Sequence, residues 1–293
     1  MSDYQHFLIT RMNVDWDVSK SRSPQERNSF EFLNHRFNIF EKTCYPAVNA
    51  QTNPNFIWLI LLDVGLPEEF KERLGKYTSS LTIIPVYINS KETFLTTLKD
   101  TIAEHLLPST DHLITTNIDS DDVLSRNFVA TTQQQFRGQA FEFINFPFGY
   151  LYRFQEQKLY LREWLTSSCH TLIEQRQNFQ TALAYPHYKV ISSKTRQVIT
   201  QPIWLMTVHG ENVRTQFDVS AAWQPLTRLG NNFCSNIDFP KQRWIETLRE
   251  MFVEVLNVIS SRRDWDNPKV KARKIMNILF PPLIRGMRKL RYR

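Results

Sequence analysis

The run NFIWLILL, at residues 55–62, is nearly continuously apolar and is followed directly by Asp63. A strand without polar alternation is buried on both faces, and such strands are typical of parallel sheets that helices cover on each side. Three more strands are predicted at residues 6–12, 81–88 and 112–118. Helical patterns separate all four, so the first 120 residues alternate strands with helices. This order predicts an α/β fold with an open, mostly parallel sheet flanked by helices.

Local signals mark where the helices begin and end. Ser23-Pro24-Gln25-Glu26 has the form of a capping box with proline at the first helical position, and apolar residues then recur along one face of a long helix. A helix is also predicted at about 124–137, where Gly138 ends it. Pro85 favours an edge position for the strand at 81–88.

The pattern changes after Gly138. Residues 141–164 are aromatic and alternating, which predicts two or three antiparallel strands. A further strand at 202–208 runs into His209, and the polar segment 210–240 is predicted to be a mobile lid. Residues 241–260 predict a helix with one apolar face.

Composition excludes several classes of protein. The chain has only seven glycines and contains neither GxGxxG nor GxxxxGK[ST], which argues against a dinucleotide-binding domain and against a P-loop. Its three cysteines are widely spaced, which indicates buried thiols in a reducing compartment. The N-terminus lacks the pattern of a signal peptide and no apolar run approaches 18 residues. These features predict a cytoplasmic location.

The net charge of +7 is concentrated at one end. Residues 261–293 contain eleven Arg and Lys and two Asp, a net charge of +9, so residues 1–260 sum to −2. The body therefore gives no reason to expect a nucleic-acid partner. The tail interleaves its cations with apolar residues, which predicts peripheral contact with an anionic membrane through Ile278, Leu279 and Phe280. A basic helix packed on the body is the alternative.

The strand at 112–118 runs into TTNIDSDDVLSR, at residues 115–126, which holds Asp119, Asp121 and Asp122. Carboxylates this close repel one another unless a positive charge lies among them or water surrounds them. Ligands of open α/β sheets bind beyond the carboxyl ends of the strands, where these residues fall. A divalent cation held by Asp119 and Asp121 and carrying a diphosphate would supply the missing positive charge.

The acidic segment is also compatible with roles that need no metal-bound diphosphate. Asp122 would serve as an N-cap for the helix predicted after it. An EF-hand loop fails, because Leu124 and Ala130 occupy the positions that require Gly and Glu. The segment formally matches the DxDx[TV] signature of a metal-dependent phosphatase, although no GDxxxD motif follows. A binding protein that keeps the fold without turnover is a further alternative.

Several segments together resemble one enzyme family. HFLITRMNV, the stretch LNHRFNIFEKTCYPAVNAQTNPNFIWLILLD, the DSDD segment and PIWLMTVHGENV are similar, in this order, to rhamnosyltransferases with a GT-A-type glycosyltransferase fold. The resemblance extends over about residues 5–215. It implies a nucleoside-diphosphate sugar donor, Mn²⁺ or Mg²⁺ as cofactor, and a glycan or lipid-linked acceptor. It divides the chain into a GT-A-like domain at 1–240 and a basic helical extension at 241–293.

The GT-A-like domain would itself have two halves. Residues 1–138 would bind the nucleotide sugar, and residues 139–240 would form the acceptor side and the lid.

The resemblance also suggests roles for individual residues. Thr10 and Arg11 end the first strand, where GT-A folds bind the nucleotide, and Asp63 would meet its base or ribose. Asn117 shares a strand face with Asp119 and would support the metal or the ribose. The resemblance implies that His209 joins Asp119 and Asp121 at the metal, with Asn212 behind it; His187 is a weaker candidate.

An inverting transferase also needs a general base to take the proton of the acceptor hydroxyl. Glu163, Glu174 and Asp218 all lie in the acceptor-side half, and Glu174 is the residue predicted for this role.

Overall fold

The computed structural model describes residues 3–14, 22–77, 82–192, 195–210, 221–261 and 267–291. Its first part alternates strands with helices, as the sequence predicts. In chain order the elements are β1 (Tyr4–Arg11), α1 (Pro24–Arg27), α2 (Phe30–Lys42), α3 (Cys44–Asn49), β2 (Ile57–Asp63), α4 (Glu68–Gly75), β3 (Ile83–Ile88), α5 (Phe94–Glu104) and β4 (His112–Asp119).

The later part contains short strands and then three helices. They are β5 (Val123–Leu124), α6 (Phe128–Gln133), β6 (Phe141–Asn145), β7 (Phe148–Arg153), β8 (Lys158–Glu163), β9 (Thr171–Gln175), β10 (Thr195–Gln197), β11 (Trp204–Val208), β12 (Ala222–Gln224), α7 (Trp244–Ser260), α8 (Pro268–Leu279) and α9 (Pro281–Arg291). Among the described helices, none is both long enough and apolar enough to cross a membrane.

The larger sheet has seven strands in the order β10-β6-β9-β4-β1-β2-β3. Only β9 runs against its neighbours; the other six are parallel. Pro85 lies on the edge strand β3, as expected for a residue that cannot donate to the ladder. The α/β fold with an open, mostly parallel sheet is confirmed.

Helices cover both faces of this sheet. On β2, Trp58 and Ile60 belong to the core cluster that includes buried residues of α2, whereas Leu59 and Leu61 belong to the cluster that includes α5. Alternate residues of one strand thus enter different cores, which explains why the sequence of β2 shows no polar alternation. The capping box at Ser23 is confirmed, although α1 ends at Arg27 and Ser29 caps a separate helix, α2.

The smaller sheet has the order β12-β8-β7-β11-β5. The predicted antiparallel strands appear as the pair β7 and β8, but β6 joins the larger sheet instead. The division at residue 138 therefore does not separate the two sheets. Of the predicted lid, residues 211–220 lie outside the described residues, and β12 pairs with β8.

The helix predicted at 124–137 is wrong over its first turn. Val123 and Leu124 are fully buried and pair with Leu205 and Trp204 of β11, so this segment forms β5 and the helix α6 starts only at Phe128. Tertiary strand pairing overrides the local helical signal there.

The C-terminal helices pack against the smaller sheet. Gln224 of β12 donates a hydrogen bond from its side chain to the carbonyl of Asn277 (2.8 Å), and Ile278 of α8 is buried in the main core. The predicted C-terminal helical extension is thus present and one of its faces is part of the folded body.

Candidate functional site

Two parallel strands bring the first site residues together. In the register of β1 and β4, Arg11 lies opposite Asp119, and the Arg11 Nη2 atom is 2.7 Å from Asp119 Oδ1. Both residues end their strands at the carboxyl edge of the sheet. The contact follows from the sheet order, because β1 and β4 are direct neighbours.

The end of β11 supplies the next partner. The hydroxyl of Thr207 donates to the carbonyl of Asp121 (2.7 Å), which holds the turn after β4 against β11. Two residues further on, His209 Nε2 is 3.1 Å from Asp121 Oδ2. Burial alone would raise the pKa of Asp121, but the hydrogen bond from His209 and the charge of Arg36 outweigh burial and lower it.

Arg36 was not predicted as a site residue. It extends from α2, and its Nε and Nη2 atoms donate to the carbonyl of Met12, at 3.1 and 2.8 Å. Burial lowers the pKa of Arg36, while the charges of Asp121 and Asp119 act in the opposite direction. The clustered carboxylates are therefore accompanied by two guanidinium groups, those of Arg11 and Arg36.

Asp122 differs from the two carboxylates before it. Its side chain is almost fully buried and accepts a hydrogen bond from the Ser168 hydroxyl (3.2 Å). Burial raises the pKa of Asp122 well above its ordinary value, and the negative charges of Asp121 and Asp119 raise it further. The N-cap predicted for Asp122 is wrong, because β5 rather than a helix follows it.

The other predicted nucleotide-binding residues occupy different surroundings. Thr10 is fully buried and its hydroxyl accepts from the indole of Trp58 (2.9 Å), so its side chain is part of the core. Asn117 is buried and donates to the carbonyl of Ser168 (2.7 Å). Asn212 lies outside the described residues.

Asp63 ends β2 and belongs to a network of its own. Its carboxylate accepts hydrogen bonds from Arg27 (2.8 Å), Asn28 (3.0 Å) and the amide of Gly65 (2.8 Å). Burial opposes ionisation, but these bonds prevail and lower the pKa of Asp63. Asp63 lies at the same edge of the sheet as Arg11, because β2 neighbours β1. Its side-chain partners, however, are Arg27 and Asn28 at the end of α1 and Gly65 in the turn after β2.

The structure does not bring Glu174 to the acidic turn. In the antiparallel pair β4–β9, Glu174 lies opposite Leu113, six residues before Asp119, which corresponds to roughly 20 Å along a strand. Its two carboxylate oxygens accept from the amides of Gln180 (2.7 Å) and Thr181 (2.8 Å). The choice of Glu174 as base is therefore corrected: its carboxylate fixes the loop after β9.

Three further candidates from the sequence are Glu163, Asp218 and His187. Glu163 forms an ion pair with Arg288 of α9 (2.6 Å), and Asp218 lies outside the described residues. His187 packs edge-on against Trp164, with ring centroids 5.2 Å apart. Burial lowers the pKa of His187, and the charge of Asp119 partly opposes this shift.

An open cavity of about 630 Å³ lies beside α1 and α2. Arg22, Phe32 and His35 are among its lining residues, and the ring of His35 lies 5.4 Å from that of His209. Neither His35 nor Arg36 carries a local sequence signal, because both sit within an ordinary amphipathic helix.

Residues 22–220 match the family described as "Putative rhamnosyl transferase". This match covers more than half of the chain. The chain belongs to this rhamnosyltransferase family. The resemblance stated from the sequence is thus confirmed, and with it the coarse assignment to the glycosyltransferases.

Several solved structures are distantly similar to this family member. The match to residues 1–349 of S. aureus TarS has 8% identity and a TM-score of 0.40, and covers 97% of this chain and 72% of that one. A TarS structure in complex with UDP has 8% identity and a TM-score of 0.41, with 94% and 70% coverage.

A protein from Desulfovibrio desulfuricans G20 described as a "putative nucleotide-diphospho-sugar transferase" is also similar. It has 6% identity and a TM-score of 0.33, and the match covers 71% of this chain and 80% of that one. No curated protein sequence matches the chain.

The residues present fit part of the predicted metal site. Among the described residues, no group of three or more His, Cys, Asp or Glu side chains is arranged to hold a metal ion. Asp119, predicted as a ligand, forms an ion pair with Arg11. Asp121 and His209 nevertheless stand side by side, and Mg²⁺ at phosphate sites often uses one or two protein ligands, with water and substrate phosphates completing its shell. The carboxylate of Asp121 suits both Mn²⁺ and Mg²⁺, and the imidazole of His209 favours Mn²⁺ of the two, because Mg²⁺ prefers oxygen ligands.

Proposed function

We propose that this rhamnosyltransferase family member transfers a sugar, rhamnose in the first instance, from a nucleoside-diphosphate sugar to a glycan or lipid-linked acceptor. The observation that carries the proposal is the convergence of Arg11, Asp119, Asp121 and His209 at the carboxyl edge of the parallel strands. Ligands of open α/β sheets bind at this edge. The family match supports the same reaction class.

The charges of the site suit a diphosphate. Arg11 and Arg36 provide guanidinium groups, which recognise phosphate oxygens in a bidentate geometry. Asp121 and His209 would hold Mn²⁺ or Mg²⁺, which when bound would neutralise the charge of the leaving nucleoside diphosphate. Asp119, one-third exposed and oriented by Arg11, would contact the polar groups of the nucleotide.

The contacts of Asp119 disfavour the phosphatase alternative. The phosphatase signature requires its first aspartate, here Asp119, to act as a nucleophile, whereas Asp119 Oδ1 forms an ion pair with Arg11 at 2.7 Å. An ion pair of this kind lowers the nucleophilicity of a carboxylate. We therefore place glycosyl transfer before the phosphatase reaction. The reducing compartment predicted from the cysteines would place this reaction in the cytoplasm.

The test is a calorimetric titration with a panel of nucleoside diphosphates, with and without Mn²⁺. We expect one nucleotide to bind only when the cation is present. Asp121→Asn should weaken this binding by at least about tenfold, because loss of groups that merely support metal ligands already costs that much. Asp111→Asn, which alters an exposed aspartate just before β4, is the matched control and should bind as the wild type does.

Three results would contradict the proposal. If Asp121→Asn binds the same nucleotide with unchanged affinity, Asp121 does not hold the cation. Absence of binding to every nucleoside diphosphate, with or without Mn²⁺, would favour a protein that keeps the fold without turnover. Phosphate release from simple esters would instead favour the phosphatase.

A further inference from the structure

The C-terminal helix α9 turns its apolar side away from the protein. Leu283, Met287 and Leu290 follow one another at helical spacing and are 53%, 60% and 74% exposed. Phe280, just before the helix, is 56% exposed. Helices of globular proteins usually present such a stripe to the core. The outward direction of this one leaves an apolar surface that the body does not cover.

The opposite side of α9 is held by polar contacts. Arg288 Nε lies 2.6 Å from Glu163 Oε1, and Arg285 Nη2 donates to the side chain of Gln201 (2.6 Å). Ile284, next to Arg285, is buried. The helix is therefore fixed in this orientation by a bidentate ion pair and a buried side chain, and cannot simply roll over to bury its leucines.

Positive charge flanks the exposed stripe. Residues 267–291 contain eight Arg and Lys and no Asp or Glu. Lys289 and Arg291 are exposed and, at about 100° per residue, project on either side of the line through Leu283, Met287 and Leu290. An apolar stripe between exposed cations is typical of helices that lie in the plane of an anionic membrane surface.

Helix α7, which packs against α8, adds a second exposed apolar face. Met251, Val255 and Val258 pack against the main core, whereas Phe252 and Ile259 are 64% and 56% exposed. The apolar arc of α7 is wider than the part of it that the body covers. The single apolar face predicted for this helix is thus divided between core and surface.

We propose that α9 is a docking surface for an anionic lipid bilayer. Leu283, Met287 and Leu290 would enter the headgroup boundary, and Lys289 and Arg291 would contact the lipid phosphates. The structure revises the sequence prediction, because Ile278 is buried in the core and cannot insert. A two-fold interface with a second copy is disfavoured, since it would bring two such basic segments together without compensating carboxylates on α8 or α9.

The test is co-sedimentation of the full chain with phosphatidylcholine vesicles that contain or lack phosphatidylglycerol. We expect binding only to the anionic vesicles, and release at high salt. The double variant Leu283→Gln/Leu290→Gln should lower the partition coefficient by about tenfold or more, because two leucine side chains lose their transfer into the bilayer. The matched control, Leu95→Gln/Leu107→Gln, changes two exposed leucines of the body and should bind as the wild type does.

A second variant separates charge from insertion. Lys289→Gln/Arg291→Gln keeps the apolar stripe and should weaken binding while flattening its salt dependence. Equal partition of wild type and Leu283→Gln/Leu290→Gln, or equal binding to vesicles without phosphatidylglycerol, would overturn the proposal. A wild-type dimer that the leucine variant converts to a monomer, with vesicle binding unchanged, would assign the stripe to a second copy instead.

Discussion

Among single side chains, His6 shows how burial decides protonation. It lies on β1 and is almost fully buried; its Nε2 is 2.9 Å from the Thr116 hydroxyl, and Gln133 donates toward its Nδ1 at 3.3 Å. Since Nδ1 accepts, the proton of the neutral ring is on Nε2. Burial lowers the pKa of His6 to about 3. A second proton would remove the acceptor that Gln133 needs.

This pKa predicts loss of stability in mild acid. Unfolded His6 takes up a proton below its ordinary pKa of about 6.5, whereas folded His6 stays neutral until about 3, so the unfolded state binds more protons in this window. The free energy of unfolding should therefore fall as pH decreases from about 6.5, with this residue contributing up to about 1.4 kcal/mol per pH unit. Chemical denaturation at several pH values measures the slope.

Two comparisons isolate the contribution of His6. His6→Gln should flatten the slope by about one proton, and His105→Gln, at an exposed position after α5, should leave it unchanged. An NMR titration provides a check that does not depend on the variants. Protonation of the His6 ring in the folded protein near pH 6 would contradict the prediction.

Among the strands, β7 and β11 approach each other so closely that only glycine fits at one point. Gly149 lies in the middle strand of the smaller sheet, and a Cβ atom there would overlap the indole ring of Trp204. Trp204 is fully buried and donates from Nε1 to the carbonyl of Phe146 (2.7 Å), so its ring cannot move aside without breaking this bond. The parallel pair that carries His209 to the site depends on this contact.

Gly149→Ala should therefore lower the free energy of unfolding by about 3 kcal/mol or more, at the upper end of the cost of overpacking. The midpoint of a urea unfolding curve measures the loss. Gly75→Ala, where a Cβ atom meets nothing within 4 Å, is the matched control and should be neutral or slightly stabilising. Equal midpoints for the two variants would mean that β7 and β11 can separate freely.

Across the whole molecule, an ion pair joins the last helix to the smaller sheet. Glu163 at the end of β8 pairs with Arg288 of α9 through two contacts, of 2.6 and 3.1 Å. The next residue, Trp164, packs against the ring of His187. The negative charge of Asp119 in turn acts to raise the pKa of His187. The proposed membrane-facing helix is thus connected through few residues to the surroundings of the candidate site.

Arg288→Gln should loosen this connection. It leaves the mostly buried carboxylate of Glu163 with only the weaker contact to Arg273 at 3.9 Å among the ion pairs of the described residues. We expect a loss of about 1–3 kcal/mol in the free energy of unfolding and faster chymotryptic cleavage within α9, at sites that neither substitution removes. Lys289→Gln, one residue away and exposed, should change neither quantity. An unchanged cleavage rate for Arg288→Gln would show that Ile284 and the contact between Arg285 and Gln201 are enough to hold the helix.

Residues that are close along the chain were enough to predict the strands of the parallel sheet, the capping box at Ser23 and the acidic turn at Asp119. Their signals are a continuous apolar run, a cap three residues from its partner, and a cluster of carboxylates after a strand. The proximity of Arg11 and Asp119 was predictable as well, because neighbouring parallel strands end at one edge.

The side chains that surround that edge are set by the tertiary fold. Arg36 reaches the carboxylates from a helix, Glu174 is directed to the far end of β4, and residues 123–124 pair with β11 instead of starting a helix. The outward face of α9 is fixed in the same way, by Glu163 on a strand 125 residues earlier. Burial and pairing of this kind depend on contacts between residues far apart in sequence, and local periodicity carries no information about them.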